Sequence, residues 1–191
     1  MEPLENRVAQ GEIEVYNLAD LWDDHPVTEL DISPFLVEGL MLKEKKFRED
    51  VDEHDWSQYE DEHVALHCST DAVVPTWGYM LIASELHDTA RSTTIGRADD
   101  LRREYYAETL ADEDWSAYED KPVVIKGCGD EVVPEMAYVH ATQKLQEVAR
   151  KLMYGEPCSS VPLWRRPQND KPKPDAEAVG VKTPDLPSPN A

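Results

Sequence analysis

Three cysteines are the residues of this sequence with the clearest capacity for chemistry. They are Cys68, Cys128 and Cys158, and His67 stands beside the first of them. Thiolate sulphur is a ligand that zinc, copper(I) and iron–sulphur clusters all accept. If the fold brings the three thiols together, they form a metal or cluster site, with His67 as a candidate further ligand. On this interpretation the expected cofactor is an iron–sulphur cluster or zinc.

Two other interpretations of the cysteines stay open. No pair has the C-x-x-C spacing that lets one short loop supply two ligands, and free cysteine is among the most buried residue types, so three structural thiols are the main alternative. A third interpretation is a small thiol-dependent enzyme in which His67 or a helix start activates Cys68. Neighbours in a strand point to opposite faces, which weakens that pair unless the strand has already ended.

The surroundings of these thiols are expected to be reducing. Three cysteines cannot all pair within one chain, and they are too few for a disulfide scaffold. The first residues, MEPLENRVAQ, lack the basic start and apolar run of a secretory signal, and the longest apolar stretch, around residues 78–83, is too short to span a bilayer. We therefore expect a cytoplasmic protein.

The charge of the chain restricts its partners. Forty acidic residues against 19 Lys and Arg give a formal net charge of −21, spread along the body of the chain. Such a surface repels phosphate groups, so we expect neither a nucleic acid nor an anionic membrane as partner. A solvated acidic surface, as in halophilic proteins, is the simpler explanation, and a docking face for a basic protein partner is the alternative.

An internal repeat is the strongest pattern in the sequence. Residues 55–91 align with residues 114–150 without a gap, at an offset of 59, and 15 of the 37 aligned positions are identical. Chance would give roughly two or three identities at ordinary composition. Two copies are too few for a solenoid, so the repeat indicates two halves of one folded domain.

Each copy predicts the order strand, loop, helix. A short apolar run, VALHC or VVIKGC, is typical of a buried strand, and Val-Val-Pro then opens a helix with proline in its first turn. Asp71 and Asp130 are expected to cap these helices, and the second helix is predicted to run to Leu152 and stop at Gly155. The first helix, WGYMLIASEL, is apolar nearly all round, so we expect it to be the more buried of the two.

The pattern as a whole predicts an α/β fold. We expect a single domain over residues 1–165 with a mixed or mostly parallel sheet and helices on its faces. Residues 166–191 hold many prolines and few large apolar side chains, which predicts a disordered tail. In such folds ligands bind where strands end and helices begin, which is where Cys68 and Cys128 stand.

Several longer motifs resemble those of a bacterial group, domain-of-unknown-function family 2480. They are HDWSQY, CSTDAVVPTWGYM, VVIKGC with VPEMAYV, and MYGEPCSSVP, and the resemblance covers residues 4–165. All three cysteines lie within these motifs. The resemblance implies an association with iron–sulphur cluster assembly, because genes of that family neighbour assembly genes. Such an association is not a mechanism.

These observations lead to three hypotheses for function. The first is an accessory or scaffold protein for iron–sulphur cluster assembly or metal handling that uses Cys68, Cys128 and Cys158. The second is a non-catalytic protein-interaction module whose cysteines are structural. The third is the thiol-dependent enzyme, and the sequence favours a protein without catalytic activity. No dinucleotide, P-loop or hydrolase-elbow motif is present.

Overall fold

The structure is a computed structural model that describes residues 13–127 and 132–167. Cys128, Asp130 and, of the tail predicted over residues 166–191, the part from residue 168 onward lie outside this range. The described strands are β1 (Glu14–Tyr16), β2 (Val27–Asp31), β3 (His63–His67), β4 (Ser92–Ile95), β5 (Pro122–Ile125), β6 (Lys151–Glu156) and β7 (Ser159–Arg165). The described helices are α1 (Glu44–Glu53), α2 (Thr76–Leu86), α3 (Ala98–Asp112) and α4 (Glu135–Val148).

The strands form two sheets. Sheet B has the order β2-β3-β4 and is entirely parallel. Sheet A has the order β1-β5-β6-β7, in which the first three strands are parallel and β7 is antiparallel to β6. The predicted α/β class with parallel and mixed pairing is therefore confirmed, and the strands are divided between two small sheets.

The two sheets repeat the same local arrangement. His63 lies opposite Ser92 in sheet B, and Pro122 lies opposite Lys151 in sheet A, so both pairs differ by 59 residues. A 3-10 turn precedes each central strand, over Trp56–Tyr59 and Trp115–Tyr118, and an aspartate caps each turn. The likeness gives every position of β4 a counterpart in β6. Its origin in a tandem duplication stays an interpretation of the sequence.

Each sheet has its own apolar core. In sheet B, Val64 and Leu66 of β3 pack with Phe47 of α1 and Ile82 of α2. The core of sheet A holds Val123, Ile125, Ala141 and Leu145, which come from β5 and α4, and Tyr106 and Leu110 of α3. Helix α3 also lies against all three strands of sheet B, and it therefore joins the two halves. No helix in the described ranges is long and apolar enough to cross a bilayer.

The structure corrects two predictions about helix ends. Helix α4 ends at Val148, not Leu152, because Leu152 is fully buried in β6, opposite Val123 of β5. Leu152 fits both the apolar spacing of a helix and the burial of a strand residue. Its pairing with Val123 of β5 determines that it belongs to the strand. Asp71 does not cap α2, because Pro75 occupies the N-cap position and no side chain bonds there.

Candidate functional site

Cys68 follows the last residue of β3 and is half buried against the core of sheet B. Its Sγ lies 3.3 Å from the hydroxyl oxygen of Thr70. The Thr70 hydroxyl donates to the carbonyl of Gly39, so the thiol is the donor in the first contact. The side chain is thus held in a small hydrogen-bonded corner beneath α2.

His67 points to the other side of sheet B. Its Nε2 lies 3.0 Å from an Nη1 of Arg97, which can only donate, so Nδ1 carries the ring proton. That buried Nδ1 has no hydrogen-bond partner, and Asp31 Oδ1 is 4.0 Å away. His67 and Cys68 therefore contact different groups on opposite faces, so His67 is not placed to activate Cys68, and the helix start remains the other activation that the thiol-enzyme hypothesis named.

Asp31 ties the carboxyl ends of β2 and β3 together beside His67. Its carboxylate accepts hydrogen bonds from the backbone N–H and hydroxyl groups of both Ser33 and Ser69, at 2.6–3.0 Å. Burial alone would raise the pKa of Asp31, but these donors outweigh it and hold the pKa well below its usual range. The Asp31 carboxylate therefore makes all four of these hydrogen bonds with the two segments that follow β2 and β3.

The other two cysteines belong to sheet A. Cys158 is exposed in the turn between β6 and β7. Cys128 lies outside the described residues, and Gly127 before it accepts a hydrogen bond from Tyr154 of β6. Across residues 13–127 and 132–167, no three His, Cys, Asp or Glu side chains are placed to hold a metal ion. The site of three cysteines with His67 stays a prediction.

The outer edge of β4 is the main difference between the two sheets. In sheet A the outer edge of β6 is covered by β7, whereas β4 pairs only with β3 among the described strands. The N–H of Gly96 donates to the carbonyl of Leu66 in β3, so by alternation Thr93 and Ile95 direct their N–H and C=O groups outward. The strand thus presents a free edge of backbone donors and acceptors.

Apolar side chains flank this edge. Met80 of α2 is 65% exposed and Ile95 of β4 is 56% exposed. Between them lies a cavity of about 380 Å³, the β4 groove, lined among others by Tyr79, Met80, Ala83, Thr93, Ile95 and Glu104. Burial, and then the nearby Cys68, raises the pKa of Tyr79, which keeps this phenol neutral. The groove is therefore apolar on the α2 side and acidic on the α3 side.

A second cavity meets the same strand at its amino end. This acidic cavity has a volume of about 550 Å³ and is lined among others by Asp23, Asp61, Thr89, Arg91, Tyr105 and Glu108. Arg91 bridges two of the carboxylates, with Nε 2.9 Å from Asp23 and Nη1 2.9 Å from Asp61. Three carboxylates against one guanidinium leave the lining negative.

A rigid hydrogen-bond network forms the floor of the acidic cavity. His63 is buried, and its ring joins Ser92 Oγ at 2.7 Å to Asp23 Oδ1 at 2.9 Å. The rings of Trp22 and Tyr105 pack against the imidazole, at centroid distances of 4.9 and 5.3 Å. These contacts fix the amino ends of β3 and β4 in one position.

The sequence predictions did not include the β4 edge. The available signal was α2, whose sequence is apolar nearly all round and which we expected to be the more buried of the two repeat helices, although it exposes Met80. Ser92–Ile95 also contains neither proline nor charge, the usual features of a protected edge strand.

The structure thus defines an acidic α/β protein with two small parallel-type sheets, one of which has an open edge over the described residues. The chain belongs to the family described as "Protein of unknown function (DUF2480)", whose model matches residues 2–166. The resemblance stated from the motifs is therefore confirmed. Among curated proteins and among solved structures, no match was found.

Proposed function

We propose that this protein is a non-catalytic interaction module that binds an extended segment of a partner protein along the outer edge of β4. The single observation that carries the proposal is the contrast between the two sheets. The edge of β6 is covered by β7, and the corresponding edge of β4 is open over the described residues. Binding then consists of adding the strand that sheet B lacks, which is a common mode of peptide recognition.

The surroundings of the edge suit this mode. Backbone hydrogen bonds to Thr93 and Ile95 would supply affinity, and the apolar β4 groove would accept alternate side chains of the segment. Strand β7, which is itself an edge, carries Pro162, whose missing N–H discourages further pairing. Residues Ser92–Ile95 carry no such barrier.

The chemistry of the surface supports a protein as partner. With a net charge of −21 the molecule repels nucleic acid and anionic lipid and attracts basic protein segments. As part of the same proposal, the protein acts in the cytoplasm.

A selection from random peptides tests the proposal. Peptides of about eight residues, a usual strand length, are selected on the full-length protein, and their affinities are measured by fluorescence anisotropy. The Thr93→Pro variant removes an outward N–H without touching the β3 side, and Met80→Glu charges the groove. We expect either change to weaken binding about tenfold or more.

The matched control is Val139→Glu, because Val139 occupies on α4 the position that Met80 occupies on α2 and is also exposed. It should leave the affinities unchanged, and Thr93→Ala, which keeps the N–H, should weaken binding much less than Thr93→Pro. If no peptide is selected, or if the selected peptides bind Thr93→Pro as tightly as the wild type, the proposal is wrong.

The metal-handling hypothesis is retained as a second candidate on one observation. Strands β5 and β6 are parallel neighbours, and the chain reaches Cys128 after β5 and Cys158 after β6. Ligand sites of α/β proteins occur at the carboxyl ends of such strands. Cys68, which follows β3 in the other sheet, would complete the predicted three-thiol site.

The test is the metal, iron and sulphide content of anaerobically purified protein, with an absorption spectrum, beside a variant in which all three cysteines are serine. Stoichiometric zinc or a visible cluster band that the variant loses supports this candidate. Colourless, metal-free protein that takes up neither zinc nor a cluster when offered them rules it out.

A further inference from the structure

The strand that covers β6 shows what kind of segment fits such an edge. Strand β7 runs antiparallel to β6, and its Trp164 and Val161 lie opposite Leu152 and Tyr154. The chain then continues past the start of β6, where the N–H of Arg166 donates to the carbonyl of Arg150 at 2.9 Å. An apolar stretch followed by an arginine therefore occupies this edge.

Arg166 enters a corner built from a carbonyl and a carboxylate. Its Nη2 donates to the carbonyl of Val148 at 2.6 Å, and its Nη1 lies 3.4 Å from Asp120 Oδ1. Asp120 has a positive φ of 54° and donates its own N–H to the same Val148 carbonyl. At the end of the covering strand, the Arg166 guanidinium thus binds two acceptors, the carbonyl of Val148 and the carboxylate of Asp120.

The same corner exists at β4, and there it opens into the acidic cavity. Asp61 has a φ of 65° and donates its N–H to the carbonyl of Thr89 at 3.0 Å, in the same way that Asp120 bonds Val148. Asp61 and Thr89 line the cavity of about 550 Å³, together with Glu108 of α3. Arg91 neutralises only part of this charge, since it pairs with Asp23 and Asp61.

The two cavities lie next to each other along β4. Ser92 lines the acidic cavity and its neighbour Thr93 lines the β4 groove. On the outside both are bordered by α3, through Glu108 and Glu104, which are one helical turn apart. A segment laid along β4 would therefore pass from an apolar region at Ile95 to an anionic region at Thr89.

From these contacts we infer that the partner segment runs antiparallel to β4, carries apolar side chains opposite Thr93 and Ile95, and ends in an arginine or lysine whose cation enters the acidic cavity. The partner class is a protein with an exposed apolar stretch followed on its C-terminal side by a basic residue. This inference rests on the proposed function and adds the direction and the chemistry of the segment.

The probe is an acetylated, amidated peptide of sequence SSVPLWRR, the sequence of residues 159–166, titrated against the full-length protein by fluorescence anisotropy. A second peptide has glutamine in place of both arginines. We expect the arginine peptide to bind about tenfold or more tightly than the glutamine peptide, and added salt to weaken only the former. The variant Glu108→Gln should reduce the difference, while Asp112→Asn, the same charge change on α3 outside the cavity, should not.

The direction is tested by placing a photo-crosslinking residue at the first position of the peptide. An antiparallel segment should crosslink near Met80 and Ile95, and a parallel one near Thr89, with the site read by mass spectrometry. Crosslinking near Thr89, equal affinity of the two peptides, or no effect of Glu108→Gln overturns the inference.

Failure of this inference and failure of the proposed function give different results. If peptides from the random selection depend on Thr93 but show no basic residue at their C-terminal end, the β4 edge binds strands and the inferred chemistry is wrong. If binding of SSVPLWRR is indifferent to Thr93→Pro, the peptide sits elsewhere, for example on β6 in place of β7, and the inference is wrong, whereas the proposed function is decided by the selected peptides.

Discussion

The hydroxyl of Tyr154 donates a hydrogen bond of 2.8 Å to the carbonyl of Gly127, and its ring lies where a side chain on residue 127 would stand. A Cβ at that position would overlap the tyrosine ring. We predict that Gly127→Ala lowers the free energy of unfolding by about 0.5–1.5 kcal/mol, the usual contribution of the hydrogen bond that breaks when the half-exposed Tyr154 ring moves aside. Urea denaturation measures it.

The control for this prediction is a double-mutant cycle with Tyr154→Ala, which removes the ring. In that background Gly127→Ala should cost much less, because the overlap is gone. An equal cost in both backgrounds would show that the ring is not the reason for the glycine.

Asp31 predicts a loss of stability in acid. Its hydrogen bonds from Ser33 and Ser69 outweigh the effect of burial and hold its pKa below the usual range. A carboxyl group with a lowered folded-state pKa stabilises the protein above its unfolded-state value of about 3.9, and this contribution disappears as the pH falls through the folded-state pKa. Urea unfolding followed from neutral pH downward should show the loss beginning near pH 4, and Asp31→Asn should flatten that part of the profile. A variant with an unchanged acid limb would contradict the assignment.

Asp23 is expected to contribute more stability than Asp61, although both pair with Arg91. Replacing Asp23 by alanine leaves the Nε2 of buried His63 without its partner, which should cost about 1–3 kcal/mol. Asp61 is largely exposed, so Asp61→Asn, which tolerates the positive φ of 65° at this position, should cost less than about 1 kcal/mol. Thermal and urea unfolding of the two variants measure the two costs. Equal costs would show that the hydrogen bond between Asp23 and His63 contributes no more stability than an exposed ion pair.

Met80 and Ile82 are close neighbours on α2 with opposite exposure. Ile82 is fully buried, so Ile82→Ala should cost about 2–5 kcal/mol of stability. Met80 is 65% exposed, so Met80→Gln should change the unfolding free energy by no more than about 0.5 kcal/mol. A large loss in Met80→Gln would mean that this face of α2 is part of the core.

The two described thiols should differ in reactivity. Cys158 is exposed in its turn, while Cys68 is half buried and bonded to Thr70. In a Cys128→Ser variant, native protein treated with a maleimide should therefore be modified first at Cys158, and mass spectrometry reads the order. Faster modification of Cys68 would reopen the hypothesis of an activated thiol.

Local patterns predicted much of the fold. The apolar runs VALHC and VVIKGC correspond to β3 and β5, and the β-then-α order predicted the class. The predicted end of α4 was wrong because Leu152 fits both the apolar face of a helix and a buried strand, and only its pairing with Val123 distinguishes the two. β2 was not predicted either. Its sequence lacks a strong alternation of apolar and polar residues, and the strand is fixed by pairing with β3, which lies far away in the sequence.

The site was less accessible to sequence reasoning than the fold. The cysteines are conspicuous by chemical type, but the described ones follow strands of different sheets. The β4 groove depends on the strand β7, which has no counterpart in sheet B within the part of the chain that the structure describes, and this is a property of topology. The apolar sequence of α2 predicts a covered helix, and it does not show that Met80 is exposed.

An open strand edge ordinarily invites copies of the same protein to pair with one another. Each molecule here carries a net charge of −21, so two copies approaching edge to edge repel each other over the distance that salt allows. That distance is about 10 Å at 0.1 M salt and about 3 Å at 1 M. The acidic surface would in this way keep the edge free for a basic partner, and concentrated salt would turn the same edge into the start of an oligomer.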